Sequence, residues 1–116
     1  MKTENVILTK SFDLALSIIK LYSLLVDHKE YVLSKQLLRS GTSIGANVEE
    51  AVAGQTHKDF TAKMSIASKE ARETRYWLRL LDKSQLVKYD YKNNLDEIEE
   101  VIRILTAIVK TSQTGK

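Results

Sequence analysis

The stretch Leu37-Leu38-Arg39-Ser40-Gly41-Thr42-Ser43-Ile44-Gly45-Ala46-Asn47-Val48-Glu49-Glu50-Ala51-Val52-Ala53 decides the fold. Its centre is poor in strong helix formers, yet its apolar residues keep helical time. At about 100° per residue, Leu37, Gly41, Ile44, Val48, Ala51 and Val52 fall within one arc, with Gly45 at its edge. Arg39, Ser43, Ala46 and Glu50 fall opposite, and Ser40 and Asn47 sit on the borders. Two glycines inside a helix cost about 1 kcal/mol each against alanine. Close approach offsets that cost: Gly41 and Gly45, four apart, share a face and admit a neighbouring backbone. The alternative is a break at Gly41, with Ser40 or Thr42 capping a separate second helix. The surviving apolar phase and the lack of proline favour one continuous helix. A membrane Gly-x-x-x-Gly motif is excluded, because Arg39, Glu49 and Glu50 interrupt any apolar run of the required length.

Working outward, residues 1–4 read as a frayed start, and a first helix is expected over about 5–26. One heptad seam holds Leu8, Phe12, Ala15, Ile19, Tyr22 and Val26, and a second row, Leu14, Ile18, Leu21 and Leu25, runs beside it. Two rows predict a face wider than one bundle needs, shared with another subunit. The second helix is expected over 31–53. Gly54 is placed to close it, and Thr56 or His57 to open the third. The third, over 58–84, has the cleanest seam: Phe60, Met64, Ala67, Ala71, Thr74, Leu78 and Leu81. Ala67 and Ala71 are expected to face Gly41 and Gly45. Trp77 and Leu80 lie off this seam and are candidates for a contact with a neighbouring subunit. Asn93 or Asn94 is expected to cap a fourth helix over 94–111. Asp96, Glu97, Glu99 and Glu100 would crowd its first two turns, where the helix dipole favours them. Leu95, Ile98, Ile102, Leu105 and Val109 form its seam, widened by Val101, Ile104 and Ile108. Residues 111–116 read as a loose polar tail. Four helices with short connections predict an all-α, up-down-up-down antiparallel four-helix bundle, one domain over 1–116.

Composition narrows the rest. The 116 residues contain no cysteine and no proline, and 18 Lys and Arg against 15 Asp and Glu give a net charge of +3. That excludes disulfides and thiolate chemistry and fits a reducing compartment, so a cytoplasmic location is expected. No signal peptide and no transmembrane run is evident, so no membrane association is expected. A charge of +3 is compatible with a polyanionic partner without specifying one.

The fourteen residues from Leu38 to Ala51 resemble the second-helix signature of the small four-helix-bundle proteins called 23S rRNA-intervening-sequence proteins, or S23. That signature runs Ser-Ile-x-x-Asn-Ile-x-Glu-Gly after a basic or small residue. Ser43, Ile44, Asn47 and Glu50 match it, Val48 stands for the Ile and Ala51 for the Gly. The segment Lys69-Glu70-Ala71-Arg72-Glu73-Thr74-Arg75-Tyr76-Trp77-Leu78 resembles the third-helix segment of one branch, and the likeness covers nearly the whole chain. The resemblance implies a left-handed bundle assembled into a ring-like homopentamer. A related branch, the accessory variability proteins of diversity-generating retroelements, binds nucleic acid and a reverse transcriptase as basic pentamers.

Three constellations bear on chemistry. Lys58, Lys69, Arg72, Arg75, Tyr76, Arg79 and Lys83 occupy one arc of the third helix, away from its seam. Regularly spaced cations with one aromatic suit a phosphate backbone. The competing reading is a solvated face, partly neutralised by Glu73 four residues after Lys69. Ser43, Asn47 and Glu50 stack on successive turns of the second helix and read as a polar row fixing register or a subunit contact. Arg39, Gly41 and Gly45 complete that structural motif, and Arg39 and Glu50, eleven apart, each need a partner elsewhere. No nucleophile–base pair accompanies them, so no catalytic residue is assigned. His28 and His57 lack the Glu-x-x-His spacing of metal-binding bundles, so neither a metal nor a cofactor is expected. The reading is a non-enzymatic homo-oligomer that binds RNA or DNA through the third helix. The alternative is a scaffold that docks a protein partner through Trp77, Leu80 or the wide face of the first helix.

Overall fold

The computed structural model describes residues 2–115, with side chains from Glu4 onward. Four helices follow one another: α1 (Lys2–Asp27), α2 (Leu33–Ala53), α3 (His57–Ser84) and α4 (Lys92–Thr114). Each packs on its neighbour in sequence, and α4 closes back on α1, giving an antiparallel up-down-up-down bundle about 47 Å long and 20 Å wide. α2 runs unbroken through Gly41 and Gly45.

The glycines do admit a close neighbour, but it is α1. A Cβ at Gly41 would lie 2.9 Å from both γ-carbons of Ile18, and one at Gly45 would lie 3.5 Å from Ser11. Ala67 and Ala71 are buried on α3 without facing them. The α2–α3 seam is instead marked by Thr74, whose Oγ1 donates to Ser40 Oγ at 2.9 Å. The glycine contact also corrects the phase of α1. The buried row is Ile7, Ser11, Leu14, Ile18, Leu21 and Leu25. The expected seam lies outward: Phe12 is 59% and Ile19 47% exposed, and Leu16 beside them is 50% exposed. Leu8, Ala15, Tyr22 and Val26 are half-buried along its inner edge.

The ends of the elements follow local hydrogen bonding. Glu30 is buried and accepts from the backbone N–H groups of Val32, Leu33 and Ser34 at 3.1, 2.9 and 2.6 Å, which supplies the start of α2 with acceptors. Gly54 follows α2 in extended backbone (φ −63°, ψ 152°). Thr56 caps α3, its Oγ1 accepting from Asp59 N–H at 3.0 Å. Neither Asn93 nor Asn94 caps α4. The helix starts at Lys92, whose N–H donates to Asp90 Oδ1 at 3.0 Å, and Asn94 is buried inside it. The acidic run therefore lies past the first turn, which holds no acid. At the other end, residues 111–114 are helical where a loose tail is expected. Ser112 is buried: its carbonyl is 2.8 Å from His57 Nε2 and its hydroxyl bonds Thr61. Likewise α1 already includes residues 2–4, expected to fray. Met1 and Lys116, which the expected loose ends included, lie outside the described residues.

Candidate nucleic-acid interface

The buried face of α3 holds Met64, Ala67, Ala71, Thr74, Leu78 and Leu81. That fixes the opposite arc, where Lys58, Lys69, Arg72, Tyr76, Arg79 and Lys83 are arrayed along about 38 Å of helix at 1.5 Å per residue. The cations are not equivalent. Arg75 is half-buried and turned to α4, Nη1 lying 3.1 Å from Glu99 Oε1. Arg72 donates to Thr106 Oγ1 at 3.0 Å. Lys58, Lys69, Arg79 and Lys83 make no ion pair among the described residues. The expected neutralisation of Lys69 by Glu73 does not occur, because Glu73 points the other way.

Glu73 belongs to the α2 side of α3. Arg39 reaches across from α2, Nη1 to Glu70 at 3.2 Å and Nη2 to Glu73, while Trp77 Nε1 donates to Glu73 at 3.0 Å. The bond from Arg39, then that from Trp77, holds the Glu73 carboxyl below its usual range. The bond to Glu73 raises Arg39 in turn. Tyr76 packs edge-on against Trp77 with ring centroids 5.1 Å apart. Leu80 is partly exposed one turn further along.

The polar row of α2 is mostly satisfied within its own helix. Ser43 Oγ donates to the Arg39 carbonyl at 2.6 Å, and Asn47 Nδ2 to the Ser43 carbonyl at 2.8 Å. Only Glu50 crosses to α3, meeting Lys63 Nζ at 2.8 Å. The partners that Arg39 and Glu50 need are therefore both on α3. His28 Nδ1 bonds the Leu24 carbonyl at 2.9 Å. Among the described residues no group of three His, Cys, Asp or Glu side chains is placed to hold a metal ion, and no helix is long and apolar enough to cross a membrane.

Sequence reasoning overlooked one row. On α4, Glu99, Arg103, Thr106 and Lys110 follow at i, i+4, i+7 and i+11, and two of them are the residues that touch Arg75 and Arg72. Arg103 and Lys110 thus stand exposed beside the α3 stripe, without an ion-pair partner among the described residues. The signal was an unbroken helical rhythm, hidden by the acids interleaved with it.

These features define an all-α bundle whose polar chemistry is confined to its outer faces. The family model for 23S rRNA-intervening sequence protein matches residues 3–107, and the chain belongs to that family. It is similar to the crystal structure, at 1.70 Å resolution, of a protein with unknown function from the S23 ribosomal protein family of Bacteroides thetaiotaomicron VPI-5482. The two share 45% identity with a TM-score of 0.88, over 94% of this chain and 99% of that one. No curated protein matches.

Proposed function

We propose that the protein is a non-enzymatic, homo-oligomeric bundle that binds RNA or DNA along α3 in the cytoplasm, where a chain without cysteine is at home. The observation that carries this reading is the alignment of Lys58, Lys69, Arg79 and Lys83. They share one outer arc of one helix, and none is spent on an acid among the described residues. Oligomerisation into a ring, with five copies as the family resemblance implies, would multiply the field of such a stripe. The outward stripe of α1, Phe12, Leu16 and Ile19, supports an assembly of this kind. Trp77 and Leu80 on the α2 side of α3 are the surface it is proposed to meet, an arrangement that leaves the cationic arc free.

The test is a titration of the protein into labelled structured RNA and single-stranded DNA at two salt concentrations, with mass measured by light scattering on the same samples. Salt-sensitive binding by a multimer, weakened by replacing Lys69, Arg79 and Lys83 with alanine, supports the reading. No binding at low salt refutes it. The second reading, a scaffold docking a protein partner, rests on the same α1 stripe and requires insensitivity to those three substitutions.

A further inference from the structure

We infer that the nucleic acid is taken as a duplex, held between two rows of cations of which the second is Arg103 and Lys110 on α4; this rests on the reading above. The register is set by the two ties between the helices. Arg72 meets Thr106 and Arg75 meets Glu99, so the row 99, 103, 106, 110 lies along the edge of α4 nearest the α3 stripe. Its two tied members close the seam, and its other two, Arg103 and Lys110, project outward about 10 Å apart along the helix. The first row, Lys69, Arg79 and Lys83, extends about 21 Å along α3. Packed helices lie about 8–10 Å apart, a separation between the widths of the B-DNA minor and major grooves, about 6 and 12 Å. Two parallel cation rows at that spacing match two phosphate strands on either side of a groove.

The face lacks what a single strand needs. Unpaired strands are gripped by aromatic side chains on which bases stack. The one aromatic on this arc is Tyr76, and its ring is engaged edge-on with Trp77. The acids on the face are accounted for. Glu99 is tied to Arg75, Asp96 to Lys92 at 2.7 Å, and Asp59 sits in the capped first turn of α3. The face therefore offers shape and charge, which recognise a double helix through its backbone.

The experiment compares the full chain binding to a 24-base-pair DNA duplex, the RNA duplex of the same sequence, and each component strand, by fluorescence anisotropy at 50 and 200 mM salt. Expected is at least ten-fold tighter binding of one or both duplexes than of the strands. Each phosphate contact contributes an affinity factor that scales as salt to the power of about −0.9. Arg103→Ala with Lys110→Ala should therefore weaken duplex binding about 20-fold at 200 mM and about 200-fold at 50 mM, with an unchanged melting midpoint. The DNA and RNA arms tell which duplex is preferred. Strands binding as tightly as duplexes overturn the inference. So does a double variant that binds normally while replacement of Lys69, Arg79 and Lys83 still weakens binding, and the α3 reading then stands. Absence of all binding at 50 mM refutes the α3 reading and this one together.

Discussion

Gly41 and Gly45 should respond to alanine with opposite signs. A methyl group at Gly41 would lie 2.9 Å from Cγ1 and Cγ2 of Ile18 and 3.2 Å from its Cβ. Those atoms are at the root of a β-branched, fully buried side chain, so no rotation of a free end relieves them. Overpacking of this kind costs about 1–3 kcal/mol, and three contacts to root atoms put Gly41→Ala near the upper figure. The gain in helix propensity returns about 1 kcal/mol, leaving a net loss of about 2 kcal/mol. At Gly45 the nearest atoms, the Ser11 carbonyl oxygen and Oγ, are 3.5 Å away, an ordinary contact. Gly45→Ala therefore keeps most of the propensity gain, about 1 kcal/mol of stabilisation. For a chain of this size 1 kcal/mol moves the midpoint by about 4 °C, so thermal unfolding should show a fall of about 8 °C at Gly41 and a rise of about 4 °C at Gly45. In an Ile18→Ala background the penalty at Gly41 should fall by at least half, because the contact that causes it is gone. Equal shifts at both glycines, or an undiminished penalty without Ile18, would refute the close approach of α1.

Other expectations rest on single contacts. Glu30→Ala leaves three N–H groups at the start of α2 without their acceptor and should cost about 2 kcal/mol in urea unfolding. Glu30→Gln, which retains one acceptor oxygen, should cost less. Arg39 and Trp77 hold the Glu73 carboxyl low, so its contribution is present above the ordinary carboxylate pKa, about 4.3, and is lost as pH falls through the folded value. The midpoint difference between wild type and Glu73→Gln should shrink below that range, with a matching change in Trp77 fluorescence. Glu97 has the reverse sign: burial raises it despite the bond from Ser17, so stability declines as pH rises from the ordinary value through the folded one. Glu97→Gln should raise the midpoint at pH 7 and leave it unchanged at pH 3.

How much of this was legible in the sequence varies with the element. The core face of α3 was readable residue by residue, because its apolar positions form a single seam between charged flanks. α1 was not, because it carries two apolar rows of the same period. Periodicity gives the spacing of a face but not which of two faces turns inward. That choice is made by Ile18 and Ser11 seating on Gly41 and Gly45, a contact between helices. Asn94 has the composition of a cap, yet Asp90 takes the Lys92 N–H and starts the helix earlier. The tail from Thr111 is polar and still helical, because Ser112 packs on His57 and Thr61. On the candidate interface, the α3 stripe was visible as a pattern. The diversion of Arg72 and Arg75 into the α4 seam, and of Glu73 toward Arg39, depends on which helix lies on which side.

The ion pairs are distributed unevenly around the bundle. Lys10–Glu100 spans α1 and α4, Arg39–Glu70 and Lys63–Glu50 span α2 and α3, and Arg75–Glu99 spans α3 and α4. Among the described residues neither an ion pair nor a side-chain hydrogen bond spans α1 and α2, whose contact is the glycine seam. Screening weakens exposed pairs and leaves apolar contact untouched. Rising ionic strength therefore loosens three of the four seams and spares the fourth. In hydrogen exchange the α1–α2 hairpin should behave as the last unit to open in concentrated salt, with α3 and α4 parting from it first.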